Sequence, residues 1–302
     1  MAASFAAARE VFEAVDETLH QRLSKLMFEG PSEDLTLTEN AQPALMAMSL
    51  AVVAVLAREG GFRVRERATL VAGHSLGEYS ALAAAGAMDL PTVARLLRLR
   101  GQAMQAAVAP GEGAMAALLG AEMGLANEIC AAAARLERPG LPDLVQVVQP
   151  ANDNGGGQVV ISGQREAVER AVEIAKQRGV KRAMLLPVSA PFHCALMAPA
   201  ADRMAAALEE VEISAPLVPV VANVTAAKVS DPSEIKRLLV AQVTGTVRWR
   251  ESVVAAVAMG VDIFVELGAG KVLTGLAKRV APEATALNAG TVAEIEALLK
   301  VL

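Results

Sequence analysis

Covalent chemistry in this sequence centres on a serine held between two glycines, in Gly73-His74-Ser75-Leu76-Gly77. The apolar run Ala68 to Ala72 before it reads as a short buried strand, and an alanine-rich helical pattern follows from Glu78 to Ala85. Strand, sharp turn and helix around G-x-S-x-G form the nucleophile-elbow pattern, in which a strained turn projects the hydroxyl away from the sheet. Ser75 would also sit at a helix N-terminus, where free N–H groups and the helix dipole favour a developing oxyanion. A plain strand-to-helix turn in a glycine-rich chain would use the same residues, so the pattern needs a partner base.

Three histidines are available. His74 neighbours Ser75 but points elsewhere in such a turn, and His20 lies at the polar end of an amphipathic region. His193 stands in an irregular, proline-bracketed loop, Pro191-Phe192-His193-Cys194, where a side chain can be aimed into a cleft or simply pair with a backbone carbonyl. The histidines and the distant Cys130 and Cys194 have no metal-ligand spacing, so no metal is expected.

An arginine supplies the second chemical signal. In the helix expected from Pro91 to about Gln105, Val93, Leu96, Leu97 and Met104 make one apolar face, and Arg100 falls in the middle of it. An unpaired buried cation is costly. Arg100 therefore has an acidic partner, snorkels to the surface, or offers its guanidinium fork to a carboxylate substrate.

These residues must be positioned by a large fold. The chain has 302 residues, 54% of them hydrophobic and only 3% aromatic, so its core is built from Ala, Val, Leu and Met. A net charge of −5 and a pI near 5.4 argue against nucleic acid as a partner. Two cysteines without a C-x-x-C fit a reducing cytoplasm, and no signal-peptide pattern opens the sequence. The uncharged stretch Ala41 to Ala57 contains Gln42, Pro43 and Ser49 and falls short of the roughly 20 apolar residues a bilayer needs. It reads as a buried helix opened by Pro43, with no membrane partner.

Residues 1–29 form an amphipathic helical region with Phe5, Phe12, Val15 and Leu19 at helical spacing. From Gly111 the pattern becomes strand 114–119, helix 122–135, strands 144–150 and 158–162, helix 166–178 and strand 181–186. That order, β-α-β-β-α-β, is the ferredoxin-like split motif. Residues 111–187 thus read as a small domain inserted into a larger α/β domain, 1–110 and 188–302, with an exposed connection at 136–143. In the larger domain, 218–221 and 263–265 read as strands, 196–210, 233–242 and 250–259 as helices, and Trp249 as a packing residue. Gly268-Ala269-Gly270-Lys271 fails as a phosphate loop, because Val265 and Val272 stand where Gly and Ser or Thr are needed.

Several blocks together resemble the malonyl-CoA:acyl-carrier-protein transacylases of fatty acid synthesis. They are Gly73-His74-Ser75-Leu76-Gly77-Glu78-Tyr79-Ser80-Ala81-Leu82, Arg100-Gly101, Gly113-Ala114-Met115-Ala116, Gly157-Gln158-Val159-Val160-Ile161 and Pro187-Val188-Ser189. His193-Cys194-Ala195-Leu196-Met197, Gln242, Val247, Trp249 and Gly270-Lys271-Val272-Leu273-Thr274-Gly275-Leu276 continue the match. The resemblance implies a hydrolase-like α/β fold with a mostly parallel sheet and a ferredoxin-like insertion. It implies that Ser75 is acylated by malonyl-CoA and that His193 is the general base. The malonyl group would then pass to the phosphopantetheine thiol of acyl carrier protein in a ping-pong scheme, with no bound cofactor.

By the same resemblance, the Gln242 carbonyl orients His193, Arg100 holds the malonyl carboxylate, and the Leu76 N–H faces the oxyanion. Phe192 resembles the malonyl-selecting pattern. A serine thioesterase or esterase using the same elbow is the competing reading. In the family an apolar strand and Gly-Gln-Gly-Ser-Gln precede the helix at 1–29, and its glutamine gives the second oxyanion N–H. Met1 stands inside or just ahead of that helix. The resemblance therefore implies an incomplete copy of a normal enzyme, or a transferase weakened by the roughly 10²–10³ that one such donor is worth.

Overall fold

The N-terminal region forms helix α1, Ala6–Leu19, which buries Ala8, Phe12 and Val15 and ends where His20 turns left-handed. A second, shorter helix follows at Leu23–Glu29. Residues 1–136 and 144–301 are described by the computed structural model, so the connection expected at 136–143 lies almost wholly outside the described residues.

Helix α2 runs from Thr38 to Gly60 and buries Met46, Ala47, Ala51, Val52 and Val55. It begins five residues before Pro43, which sits inside it and removes one helical N–H donor rather than opening the helix. Its length and composition would allow it to cross a membrane, but more than half of its most apolar window is buried inside the protein.

Strand β1 is only Val71–Ala72, shorter than the apolar run suggested, because its parallel partner is itself two residues long. Helix α3, Gly77–Ala84, follows the elbow, and α4 spans Leu90–Ala106 with the Asp89 side chain capping the Thr92 N–H. Helices α2 and α4 touch at Gly101, where a Cβ would lie 2.5 Å from the Glu39 Cα and 2.6 Å from the Thr38 carbonyl oxygen. That close approach brings the neighbouring Arg100 within reach of Gln42 on α2.

The next elements are β2 (Gly113–Leu119), α5 (Met123–Ala134), β3 (Val148–Gly155), β4 (Gln158–Gln164), α6 (Arg165–Gln177) and β5 (Arg182–Leu185). They make an antiparallel sheet in the order β3-β4-β2-β5, the strand order of the split motif. Alternation along β2 sorts its two faces. Ala116 and Leu118 pack with Ile129 of α5 and Val168 of α6, while Met115 packs with Ala151 and Val160 on the opposite side.

The chain then adds α7 (Ala198–Glu209), β6 (Val220–Val221), β7 (Lys228–Val229), α8 (Pro232–Thr244), α9 (Trp249–Ala258), β8 (Ile263–Leu267), α10 (Val272–Val280), β9 (Thr285–Ala289) and α11 (Val292–Leu299). Strand β1 pairs in parallel with β6, and β8 in parallel with β9, while β7 runs antiparallel to β6. The parallel sheet of the larger unit is thus in two pieces, with no ladder between them among the described residues. The main core gathers α1, α2, α4 and α7 around the elbow helix.

The inserted sheet is stitched to the larger unit. The Val247 N–H donates to the Ala151 carbonyl at 2.8 Å, and the Asp153 N–H to the Val247 carbonyl at 2.9 Å. Arg250 on α9 adds an ion pair to the buried Asp153 carboxylate at 2.9 Å. Trp249 packs with Val253 and Leu276 beside this stitch.

The crossing at Gly101 yields a stability prediction. Gly101→Ala forces a methyl group into the backbone of α2 and should lower unfolding stability by about 1–3 kcal/mol, read as a shift in the urea midpoint.

Candidate active site

The elbow is built as its residues require. Ser75 has φ of 53°, in the left-handed region that ordinary residues avoid. A Cβ on Gly73 would lie 1.9 Å from the Gly77 carbonyl oxygen, so only glycine lets the strand pass this close to the helix start. Asn223, just after β6, locks the turn from below: its side-chain oxygen accepts from the Ser75 N–H at 2.7 Å, and its amide donates to the Gly73 carbonyl at 2.8 Å. The Leu76 N–H, at the start of α3, meets no acceptor among the described residues.

His193 reaches Ser75 from the other side. Its Nε2 lies 2.7 Å from the Ser75 Oγ, and its Nδ1 lies 2.8 Å from the Gln242 carbonyl oxygen. A carbonyl can only accept, so the proton sits on Nδ1 and Nε2 is left as the acceptor for the serine hydroxyl. The loop holding His193 is pinned where Pro191 packs on Gly113 at the start of β2; a Cβ there would lie 2.4 Å from the proline ring. Burial and the positive charge of Arg100 push the His193 pKa down to about 3. The imidazole is therefore neutral at any pH near 7.

Arg100 is 1% exposed, which excludes a snorkelling stem. The acidic-partner alternative also fails, since no carboxylate lies within ion-pair distance among the described residues. Its Nη1 donates to the Gln42 side-chain oxygen at 2.7 Å, and its Nη2 to the Gln242 side-chain oxygen at 2.9 Å and the Ser75 Oγ at 3.2 Å. Nε is buried and donates to nothing, and the guanidinium stands 5.9 Å from the Tyr79 ring centre. A cation held by neutral amides keeps its charge unmatched at contact range, directly beside the hydroxyl. Nε–H is left without an acceptor, and the Nη2–H aimed at the Ser75 Oγ could pass to a carboxylate placed beside that oxygen.

The geometry thus gathers Ser75, His193, Arg100, Leu76 and Gln242. Phe192 is half-buried and packs against both the main core and the Met115–Ala151–Val160 cluster, at the seam between the units. His20 lies apart and exposed. His74 turns away from Ser75, as the elbow geometry demands, and its Nε2 sits 3.0 Å from the Asn154 side-chain oxygen of β3. No cluster suited to a metal ion occurs among the described residues. The phosphate-loop reading stays excluded, because the Glu266 carboxylate already accepts from the Leu273 and Thr274 N–H groups at the start of α10.

Sequence reasoning missed four supporting roles. Gln42 holds Arg100, and its polarity at the edge of the uncharged stretch Ala41 to Ala57 is the available signal. The Gln242 side chain does more than its carbonyl suggested, donating to the Ser75 carbonyl at 3.0 Å and to Glu78 Oε2 at 2.7 Å. Glu78 and Asn223 complete the layer beneath the serine, with the Asn223 N–H donating to Glu78 Oε2 at 3.0 Å.

Comparison with known proteins places this arrangement. Residues 1–299 match the family described as acyl transferase domain. The malonyl CoA-acyl carrier protein transacylase of Escherichia coli K12 is 44% identical over 286 residues, covering 95% of this chain and 88% of that protein. The crystal structure of the acyl-carrier-protein S-malonyltransferase of Bartonella henselae superposes with a TM-score of 0.92 at 57% identity, covering 99% of this chain and 92% of that one. A malonyl transacylase solved in complex with the acyl-carrier protein of a type II polyketide synthase gives a TM-score of 0.93 at 40% identity, covering 100% and 93%. With elbow, arginine and histidine all set in that shared fold, the chain belongs to the malonyl CoA-acyl carrier protein transacylases of the acyl transferase domain family.

Proposed function

We propose that this protein transfers the malonyl group of malonyl-CoA to the phosphopantetheine thiol of acyl carrier protein through a malonyl ester on Ser75. The observation that carries the reading is Arg100: a buried cation with no carboxylate in contact, donating to the nucleophile's own oxygen. An acyl group with a free carboxylate supplies what that guanidinium lacks.

The steps follow from the geometry. His193 Nε2 takes the Ser75 proton as Oγ attacks the thioester carbonyl. The oxyanion forms against the Leu76 N–H and the N-terminus of α3. His193 then returns the proton to the departing CoA sulfur, leaving the malonyl ester. In the second half, His193 accepts the proton of the carrier-protein thiol, the thiolate attacks the ester, and Ser75 recovers its proton from His193. The Gln242 carbonyl holds the ring in the required tautomer, and Phe192, next to His193, fits the malonyl-selecting pattern.

No triad carboxylate is needed for an activated thioester, because the carbonyl keeps Nδ1 protonated and Nε2 free. A serine thioesterase would share Ser75 and His193 but has no use for a cation on the nucleophile. Malonyl-CoA is the donor substrate, and supply of malonyl units to fatty acid synthesis in the cytoplasm is the role that fits. The two free, buried thiols, Cys130 and Cys194, accord with a reducing compartment.

Intact-mass analysis after exposure to malonyl-CoA should show one malonyl adduct, mapped to Ser75 and absent from Ser75→Ala; a folded protein with no adduct, or one that releases only free malonate in the presence of carrier protein, would refute the transfer. Arg100→Ala should cut kcat/KM for malonyl-CoA by about 10²-fold while changing acetyl loading far less, as expected for loss of charged hydrogen bonds. Because the His193 pKa is driven down to about 3, acetyl loading should show no inflection near 6.5 when its rate is followed from about pH 5 to 8.

A further inference from the structure

Behind Ser75, hydrogen bonds run in a line from a cation to a carboxylate. Arg100 Nη2 donates to Gln242 Oε1 at 2.9 Å, and Gln242 Nε2 donates to Glu78 Oε2 at 2.7 Å. The amide presents its acceptor to the guanidinium and its donor to the carboxylate. Glu78 Oε2 also accepts from the Asn223 N–H at 3.0 Å, whereas Oε1 accepts from no described residue. Glu78 is 2% exposed and touches neither His193 nor the Ser75 hydroxyl, so the proton transfers of the reaction do not use it.

We propose that Glu78 is the resting counter-charge of Arg100 and takes up a proton whenever Ser75 receives an acyl group that carries its own carboxylate. The inference rests on the reading of Arg100 as the anchor for that carboxylate. Above about pH 7 the resting site holds one cation and one carboxylate, joined through an amide. Loading brings a second carboxylate to the same guanidinium. Two like charges in a dry site raise each other's pKa. The acyl carboxylate is gripped directly, while Glu78 stands one amide away, so Glu78 is the group that is neutralised. The proton comes from solvent and binds Oε1, which leaves both hydrogen bonds on Oε2 intact. It departs again when the acyl group moves to the thiol. An acetyl group brings no charge and draws no proton.

The groups packed around Glu78 do not titrate in competition. Burial lifts Tyr79, its neighbour on α3, to about 12, and His193 in the facing loop is held at about 3. Desolvation lowers His74 in the turn, and Arg100 on α4 remains a cation. Among the described residues, helix α2 contributes Gln42 to this hydrogen-bonded cluster, α8 Gln242 and the loop after β6 Asn223, all neutral. Burial raises Glu78 to about 7, so an added negative charge raises it further and protonation of the loaded site extends above that pH.

The test is acylation of Ser75 in the full chain, measured by rapid quench and intact mass with malonyl-CoA and acetyl-CoA in parallel over about pH 6 to 9. Both donors release the same CoA thiol, so its ionisation cancels in the ratio of the two kcat/KM values. The loaded state binds more protons, so malonyl loading must weaken as pH rises. In the natural sequence the malonyl-to-acetyl ratio should fall above about pH 7, by up to about tenfold per pH unit. In Glu78→Gln, whose amide oxygen can accept the same two hydrogen bonds, the ratio should stay flat within about twofold.

A flat ratio in the natural sequence overturns the proposal, as does an equal slope in the variant. Should the variant fail to fold, a pH indicator on the natural protein decides: malonyl loading should take up more protons per site than acetyl loading, and equal uptake refutes it. A malonyl adduct with a flat ratio sinks the role of Glu78 alone, whereas no adduct at any pH overturns the transfer function and this inference together.

Discussion

A guanidinium taken out of water with only amide and hydroxyl oxygens in contact is the constraint on which the rest of this structure turns. Desolvating Arg100 is expensive, and in most cores a touching carboxylate would offset the cost. Here the offset is spread over Gln42, Gln242 and the Ser75 hydroxyl, with the nearest carboxylate held one amide away. Such a layout sacrifices stability locally and keeps a field of one sign at the nucleophile. Burial and, after it, this same field lower the basicity of His193, so the imidazole beside Ser75 stays neutral.

The fold's main work is to bring three separate elements to that cation. Helix α4 delivers Arg100 because Gly101 permits contact with α2, the elbow delivers Ser75 in a strained turn, and the chain leaving the inserted sheet delivers His193, also with positive φ at 58°. Helix α8 closes the site with one residue that serves twice. The Gln242 carbonyl accepts from His193 Nδ1, while its side chain binds the guanidinium, the Ser75 carbonyl and Glu78.

Much of this was legible in the sequence where a residue violated its surroundings. The glycine-flanked serine, the arginine on an apolar stripe and the histidine in a proline-bracketed loop each broke a local pattern, and each lies in the site. The split motif was readable because its strands and helices alternate with clear periodicity. Strand lengths in the larger unit were not readable, since β1 and β6 are limited by one another rather than by their own apolar runs. Pro43 reads as a helix start, yet α2 begins at Thr38, because a proline in the first turns of a helix forfeits few hydrogen bonds. Gln42, Glu78 and Asn223 act through partners remote in the chain, and no periodicity marks such a role.

The stitch between β3 and Val247 has a mechanical meaning. Ser75 belongs to the larger unit, while the loop bearing His193 takes its purchase from the first strand of the inserted one through Pro191 and Gly113. The 2.7 Å between Ser75 Oγ and His193 Nε2 therefore depends in part on how the inserted sheet supports that loop. The two backbone bonds and the ion pair are joined by the His74–Asn154 contact and by the Thr246 hydroxyl, which donates to the Pro150 carbonyl, so the sheet is held to the larger unit at several points. The ferredoxin-like sheet thus buttresses the loop that sets the Ser75–His193 spacing, in addition to closing its own core.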